Sequence, residues 1–184
     1  MTEAVASDLL YPLSYFCERG GGILPPFTVL EPEALPEPAR TLLVHRGDMT
    51  SRLEQHYGEK TLLRVLQCEQ TDAAYRREVV LCLDTCGLPV EYGAIEICLE
   101  AFTGELRDLI VEARLPLGGL LNRFGFNYCS EPSAFLELTP EARMTALFGV
   151  AEATELYGRC NTLTGKDGIV LARIVEVLRP LETA

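Results

Sequence analysis

The sequence predicts an α+β fold: a single antiparallel sheet of about six strands with helices on one face. Three observations carry this reading. Residues 61–68, 75–84, 88–99, 133–138, 155–163 and 169–178 carry the alternation or the apolar, β-rich composition of strands. Two pairs of these segments are joined by short glycine-containing turns, Asp84-Thr85-Cys86-Gly87 and Thr164-Gly165-Lys166-Asp167-Gly168. Such turns make hairpins, and hairpins pair antiparallel. Helical segments are inserted between the strands, where they can cover a face of the sheet.

Taken in order, residues 3–17 are weakly helical, with Leu9, Leu10, Leu13 and Phe16 at helical spacing and Pro12 interrupting them. Gly20-Gly21-Gly22 ends the segment; with no strand before it and no helix opening after it, it is not read as a phosphate loop. Five prolines between residues 23 and 40 describe an extended acidic connection. Two units follow: residues 1–40 as N-terminal helix and proline-rich connection, and residues 41–184 as the main domain. Asp48 is an N-cap for a short helix from Met49 that stops near Gly58. Gly93, inside the strand at 88–99, marks a bulge or a close approach. Leu106, Leu109 and Ile110 form the buried stripe of a helix over 102–114, and Pro116 opens a second helix over 117–124. Thr139 and Pro140 open a last helix that ends at Gly149.

Composition narrows the function. Hydrophobic residues make up 48% and charged residues 23%, as in a soluble globular protein, and no stretch is apolar enough to span a bilayer. The absence of a signal-like N-terminus makes the cytoplasm the expected compartment. A net charge of −11 argues against nucleic-acid binding, so no nucleic-acid or membrane partner is expected, and any anion site must rest on a few placed arginines. Seven scattered cysteines read as reduced thiols, and two histidines give little material for metal or triad chemistry. No metal and no cofactor is expected.

One strand is chemically odd. Alternation puts Tyr75, Arg77, Val79, Leu81 and Leu83 on one face, so Arg77 shares an apolar surface. Its neighbours Arg76 and Glu78 fall on the other side, read as polar or partly exposed. The last strand repeats the anomaly: Glu176 lies on a face with Val170, Ala172, Ile174 and Leu178. A charge in such a place needs a partner. Two accounts are open: a buried structural ion pair between Arg77 and Glu176, or a polar pocket. In the second, Arg77 binds a carboxylate and Glu176 shares a proton with a hydroxyl or ether oxygen.

Five short segments, in order, resemble the chorismate lyase (chorismate–pyruvate lyase) family over about residues 42–180. They are Gly47-Asp48-Met49-Thr50-Ser51-Arg52-Leu53-Glu54-Gln55, Arg77-Glu78-Val79-Val80-Leu81-Cys82, Leu115-Pro116-Leu117-Gly118, Leu156-Tyr157-Gly158-Arg159 and Val175-Glu176-Val177-Leu178-Arg179-Pro180. The resemblance implies a chorismate lyase-like fold with a ligand buried under short helical flaps. It implies that Arg77 holds a ring carboxylate, that Glu176 faces the oxygen that becomes the phenol, and that the amides of Met49 and Leu117 complete the pocket. Arg159 joins them as a substrate-binding candidate. The implied reaction is cofactor-independent release of pyruvate from chorismate, leaving 4-hydroxybenzoate. Two alternatives stand beside it: a non-catalytic aromatic-acid binding protein on the same fold, or a lyase for a related enol-ether or aromatic acid. The expected partner is thus a small aromatic carboxylic acid or chorismate. One departure bears on the ligand. Ala94 stands where the bacterial lyases carry an arginine, which predicts weaker binding of a dicarboxylate unless Arg46, Arg76 or Arg159 supplies the charge. His45 is placed in a loop near the pocket mouth.

Overall fold

The computed structural model describes residues 3–180. Its centre is one antiparallel sheet of seven strands: β1 (Phe27–Leu30), β2 (Thr61–Gln70), β3 (Ala74–Leu83), β4 (Pro89–Cys98), β5 (Tyr128–Leu138), β6 (Leu156–Gly165) and β7 (Val170–Leu178). Their spatial order is β1-β5-β6-β7-β4-β3-β2. Both predicted hairpins form, β3 with β4 and β6 with β7, and the two halves of the sheet join where β4 pairs with β7.

Helices cover both faces of this sheet rather than the one face predicted. The reason lies in the interior strands, which are apolar on both sides and must be buried on both. On one face, Val80, Tyr92, Val175 and Val177 pack with α1 (Glu3–Leu9), α2 (Leu13–Arg19) and α7 (Ala142–Phe148) through Leu9, Leu13, Phe16, Met144 and Phe148. On the other, α3 (Ala39–Leu43) and α4 (Met49–Tyr57) bring Leu42, Leu43, Met49 and Leu53 against Leu81, Leu83 and Leu178. Beside them α5 (Gly104–Glu112) and α6 (Leu117–Arg123) cover Ile95 and Ile97 with Leu106, Ile110, Leu120 and Leu121. Each fully buried leucine or isoleucine of these layers contributes about 1.5–3 kcal/mol relative to exposure.

Three local readings shift. The proline-rich segment contains an edge strand, β1, because Phe27–Leu30 pairs with the end of β5. The amide of Thr139 extends that pairing by donating to the Pro26 carbonyl at 2.9 Å, so Thr139 does not cap a helix. Glu141 caps α7 instead, its carboxylate accepting from the amides of Arg143 at 2.7 Å and Met144 at 3.0 Å. Glu78 is not on an exposed face: it is fully buried against α7, where it accepts from Arg143, from the Tyr92 hydroxyl at 2.5 Å and from Gln67 at 2.9 Å. Arg76 pairs with Glu96 at 2.6 Å on the same side.

Register places the charged residues of the opposite face in three rows. Arg77, Ile95, Ile174 and Asn161 form the first; Val79, Gly93, Glu176 and Arg159 the second; Leu81, Glu91 and Leu178 the third. Gly93 is required by close approach: a Cβ there would lie 2.3 Å from the Val175 carbonyl oxygen. Gly93→Ala is therefore expected to force β4 away from β7. A thermal melt should fall by roughly 2–12 °C, since overpacking costs about 1–3 kcal/mol and each kcal/mol moves the midpoint by ~2–4 °C at this size.

Candidate ligand-binding cleft

The three rows floor a cleft, and two helix starts roof it. Gly47, Asp48, Met49 and Thr50 lead into α4, and Pro116, Leu117 and Gly118 into α6. The non-atom space, counting the mouth, is about 630 Å³. Asp48 joins the two roof pieces. One carboxylate oxygen accepts from the Ser51 amide at 2.8 Å as the α4 cap, and the other accepts from Asn122 of α6 at 3.2 Å. Gly118 permits this contact, since a Cβ there would come within 2.7 Å of the Asp48 Cβ. The Asp48 side chain takes the third amide of its helix, and the first two amides, those of the lining residues Met49 and Thr50, have no intrahelical acceptor. Pro116 provides no side-chain cap for α6.

Arg77 occupies the first row, 2% exposed. Its Nη2 donates to the Leu115 carbonyl at 3.3 Å, while Nε and Nη1 have no hydrogen-bond partner among the described residues. The guanidinium carbon stands 5.9 Å from the centre of the Tyr75 ring. Burial without an anion lowers its pKa from 12.5 to about 10, so it stays charged at neutral pH.

The predicted alternative of an Arg77–Glu176 ion pair is not what forms. Arg77 and Glu176 lie one row and two strands apart, about 10 Å across the sheet before the offset is counted. Arg159 is the direct cross-strand neighbour of Glu176, and it takes the carboxylate through Nε. Arg159 is wholly buried; its Nη1 also donates to the carbonyls of Leu43 at 3.0 Å and His45 at 3.1 Å, and its Nη2 has no partner among the described residues. His45 touches this group rather than lining the cleft: its Nε2 stands 3.4 Å from Arg159 Nη1. Its Nδ1 accepts from the Gly47 amide at 3.1 Å. Burial first, then Arg159, hold the His45 pKa at about 4, so the ring is neutral at pH 7.

All five residues singled out from the sequence, Arg77, Glu176, Met49, Leu117 and Arg159, line this one cleft. Sequence reasoning missed Glu91. It is 6% exposed in the third row, with Oε2 lacking a partner among the described residues. Burial and the nearby Glu176 raise its pKa well above 4.5, against the opposing pull of Arg159. The signal was available: Glu91 shares the alternating face of Gly93, Ile95 and Ile97, the same kind of anomaly as Arg77. Ser130 and Asn161 were missed too; the Asn161 amide donates to the Ser130 hydroxyl at 3.0 Å, and the pair has no periodic signature. Arg76 lies on the other side of the sheet and Arg46 is an exposed residue outside the cleft lining, so neither supplies a cleft cation. Ala94 borders the cleft, yet its methyl belongs to the opposite core with Val80, Tyr92 and Val175.

The fold is shared with solved structures. PhnF from Mycobacterium smegmatis superposes with a TM-score of 0.58 at 16% identity, over 74% of this chain and 65% of that one. The effector domain of the same protein gives 0.55 at 15% identity, over 75% and 96%. The ligand-binding domain of a protein assigned to the GntR family of transcriptional regulators, from Bordetella bronchiseptica, gives 0.50 at 12% identity, over 67% and 92%. This chain thus spans less than two thirds of full-length PhnF and nearly all of its effector domain. At these identities the likeness is one of fold, the chorismate lyase-like α+β architecture. No protein-family model and no curated protein sequence matches the chain.

The Arg159–Glu176 pair makes a stability prediction. Arg159→Met leaves a buried carboxylate without its cation and is expected to cost about 3–5 kcal/mol. Adding Glu176→Leu should recover most of that loss. Chemical denaturation of the single and double variants checks both.

Proposed function

We propose that the chain is a binding module for a small organic anion with an apolar body, an aromatic carboxylate being the best fit. The carrying observation is Arg77: a buried cation, two of whose donor nitrogens have no partner among the described residues, in the lining of a cleft walled by Leu63, Val79, Leu81, Ile95, Leu117 and Ile174. A carboxylate would accept a charge-assisted hydrogen bond from a free nitrogen of Arg77, and the apolar walls would take the ring. The similarity in fold to an effector domain and to a ligand-binding domain supports binding without turnover.

Release of pyruvate from chorismate is the second reading. It is favoured by the meeting of Arg77, Glu176, Met49, Leu117 and Arg159 in one cleft. It is weakened by Glu176, whose carboxylate is already engaged by Arg159. Incubation with chorismate separates the two: binding without pyruvate above the spontaneous rate supports the module, and enzyme-dependent pyruvate supports the lyase.

Arg77→Met keeps apolar volume and removes the charge. Calorimetric titration with 4-hydroxybenzoate is expected to show the dissociation constant rising by about 30-fold or more, as charge-assisted bonds worth roughly 2 kcal/mol are lost. The variant should remain folded, because Arg77 makes only one bond within the protein among the described residues. An unchanged dissociation constant would place the anion elsewhere.

A further inference from the structure

Resting on the reading of this cleft as an anion site, we infer that Glu91 is a specificity-determining hydrogen-bond donor. The cleft then selects monoanions that carry an accepting oxygen at the end remote from the carboxylate, and it disfavours dianions.

The geometry comes from the three rows. Arg77 pairs with Ile95, and Glu91 lies four residues along the same strand, about 13 Å away at ~3.3 Å per residue. The two orphaned side chains therefore stand at opposite ends of the cleft. Between them is Gly93, which lines the cleft without a side chain. A flat ring laid along β4 over Gly93 would present one end to Arg77 and the other to Glu91. Glu91 Oε2, like Nε and Nη1 of Arg77 and Nη2 of Arg159, is a buried polar atom of the cleft lining without a partner among the described residues.

Charge decides what that end accepts. Glu91 is flanked on the adjacent strands by Leu81 and Leu178, which bring no charge. Glu176 faces it from β7 and Arg159 from β6, and that cation and anion are already paired. Asp48 lies in the roof, where its two oxygens are held by Ser51 and Asn122. His45, behind Arg159, is neutral above pH 5. With Glu91 protonated, the one cation of the cleft without an anionic partner among the described residues is Arg77, one positive charge for one carboxylate. A protonated carboxyl donates a hydrogen bond, so its complement is an ether, carbonyl or hydroxyl oxygen. A second carboxylate there would meet Glu91 and Glu176.

The test uses the full chain and para-substituted benzoates of matched size. Calorimetry at pH 6 compares 4-methoxybenzoate, 4-ethylbenzoate and terephthalate. The methoxy compound should bind about fivefold more tightly than the ethyl compound, the worth of one neutral hydrogen bond, and terephthalate should be weakest. The preference should persist in Glu91→Gln, whose amide still donates, and vanish in Glu91→Leu. It should shrink in the wild type as pH rises and Glu91 ionises, and stay constant in Glu91→Gln. Folding of the variants is checked by melting. A carboxyl whose folded pKa is raised contributes stability below pH ~4.5 and loses it as pH rises through the folded value. Glu91→Gln should therefore melt at or above the wild-type temperature at pH 8. If no benzoate binds the wild type, the anion site and this inference both fall. If benzoates bind without favouring methoxy over ethyl, or the preference survives in Glu91→Leu, the role of Glu91 falls and the Arg77 site stands.

Discussion

The pairing of Arg159 with Glu176 is the constraint on which the rest of the cleft depends. Four ionisable side chains are buried on one face of four adjacent strands: Arg77, Glu91, Arg159 and Glu176. Buried charges are tolerated when paired and costly when not. Antiparallel register makes Arg159 and Glu176 direct neighbours, and their contact uses up one cation and one anion. What is left is an arginine and a carboxyl too far apart to satisfy each other. The cleft is built around that remainder.

The opposite face shows what the same chain does when a buried charge has only a structural role. Glu78 is fully enclosed, yet Arg143, Tyr92 and Gln67 all donate to it. Nothing there is left over. A protein able to satisfy Glu78 so completely, one residue along β3, has left two nitrogens of Arg77 without acceptors among the described residues. Local incapacity to build partners is not the explanation. An orphaned, desolvated guanidinium costs stability that a ligand can return, a common trade at binding sites.

Much of this site is legible in the amino-acid sequence. The alternation around Arg77 and around Glu176 marks both residues as charges on apolar faces, and Gly93 stands out as a point of close approach. Those readings need only the two-residue period of a strand. What sequence alone does not carry is register across strands that are distant in the chain. Whether Arg77, Arg159 or neither meets Glu176 depends on β4 lying between β3 and β7, and on β6 lying beside β7. The same limit misplaces the significance of Ala94. Its methyl belongs to the core with Val80 and Tyr92, so an alanine at this position does not strip a cation from the Arg77 face. The edge strand β1 is hidden for a different reason: prolines on both sides of Phe27–Leu30 mask a short pairing that only the end of β5 creates. Helices on both faces follow from doubly apolar interior strands, a feature already visible in the sequence of β7.

Arg77, whose Nε and Nη1 have no acceptor among the described residues, is the group proposed to take the ligand's anion. The most direct measurement is the Nε–Hε resonance of Arg77 by nuclear magnetic resonance during titration with 4-hydroxybenzoate. This proton is expected to move downfield and to exchange more slowly with water as the ligand saturates, while the Nε–Hε signal of Arg159, already bound to Glu176, changes far less. Saturable binding with an unperturbed Arg77 signal would contradict the claim.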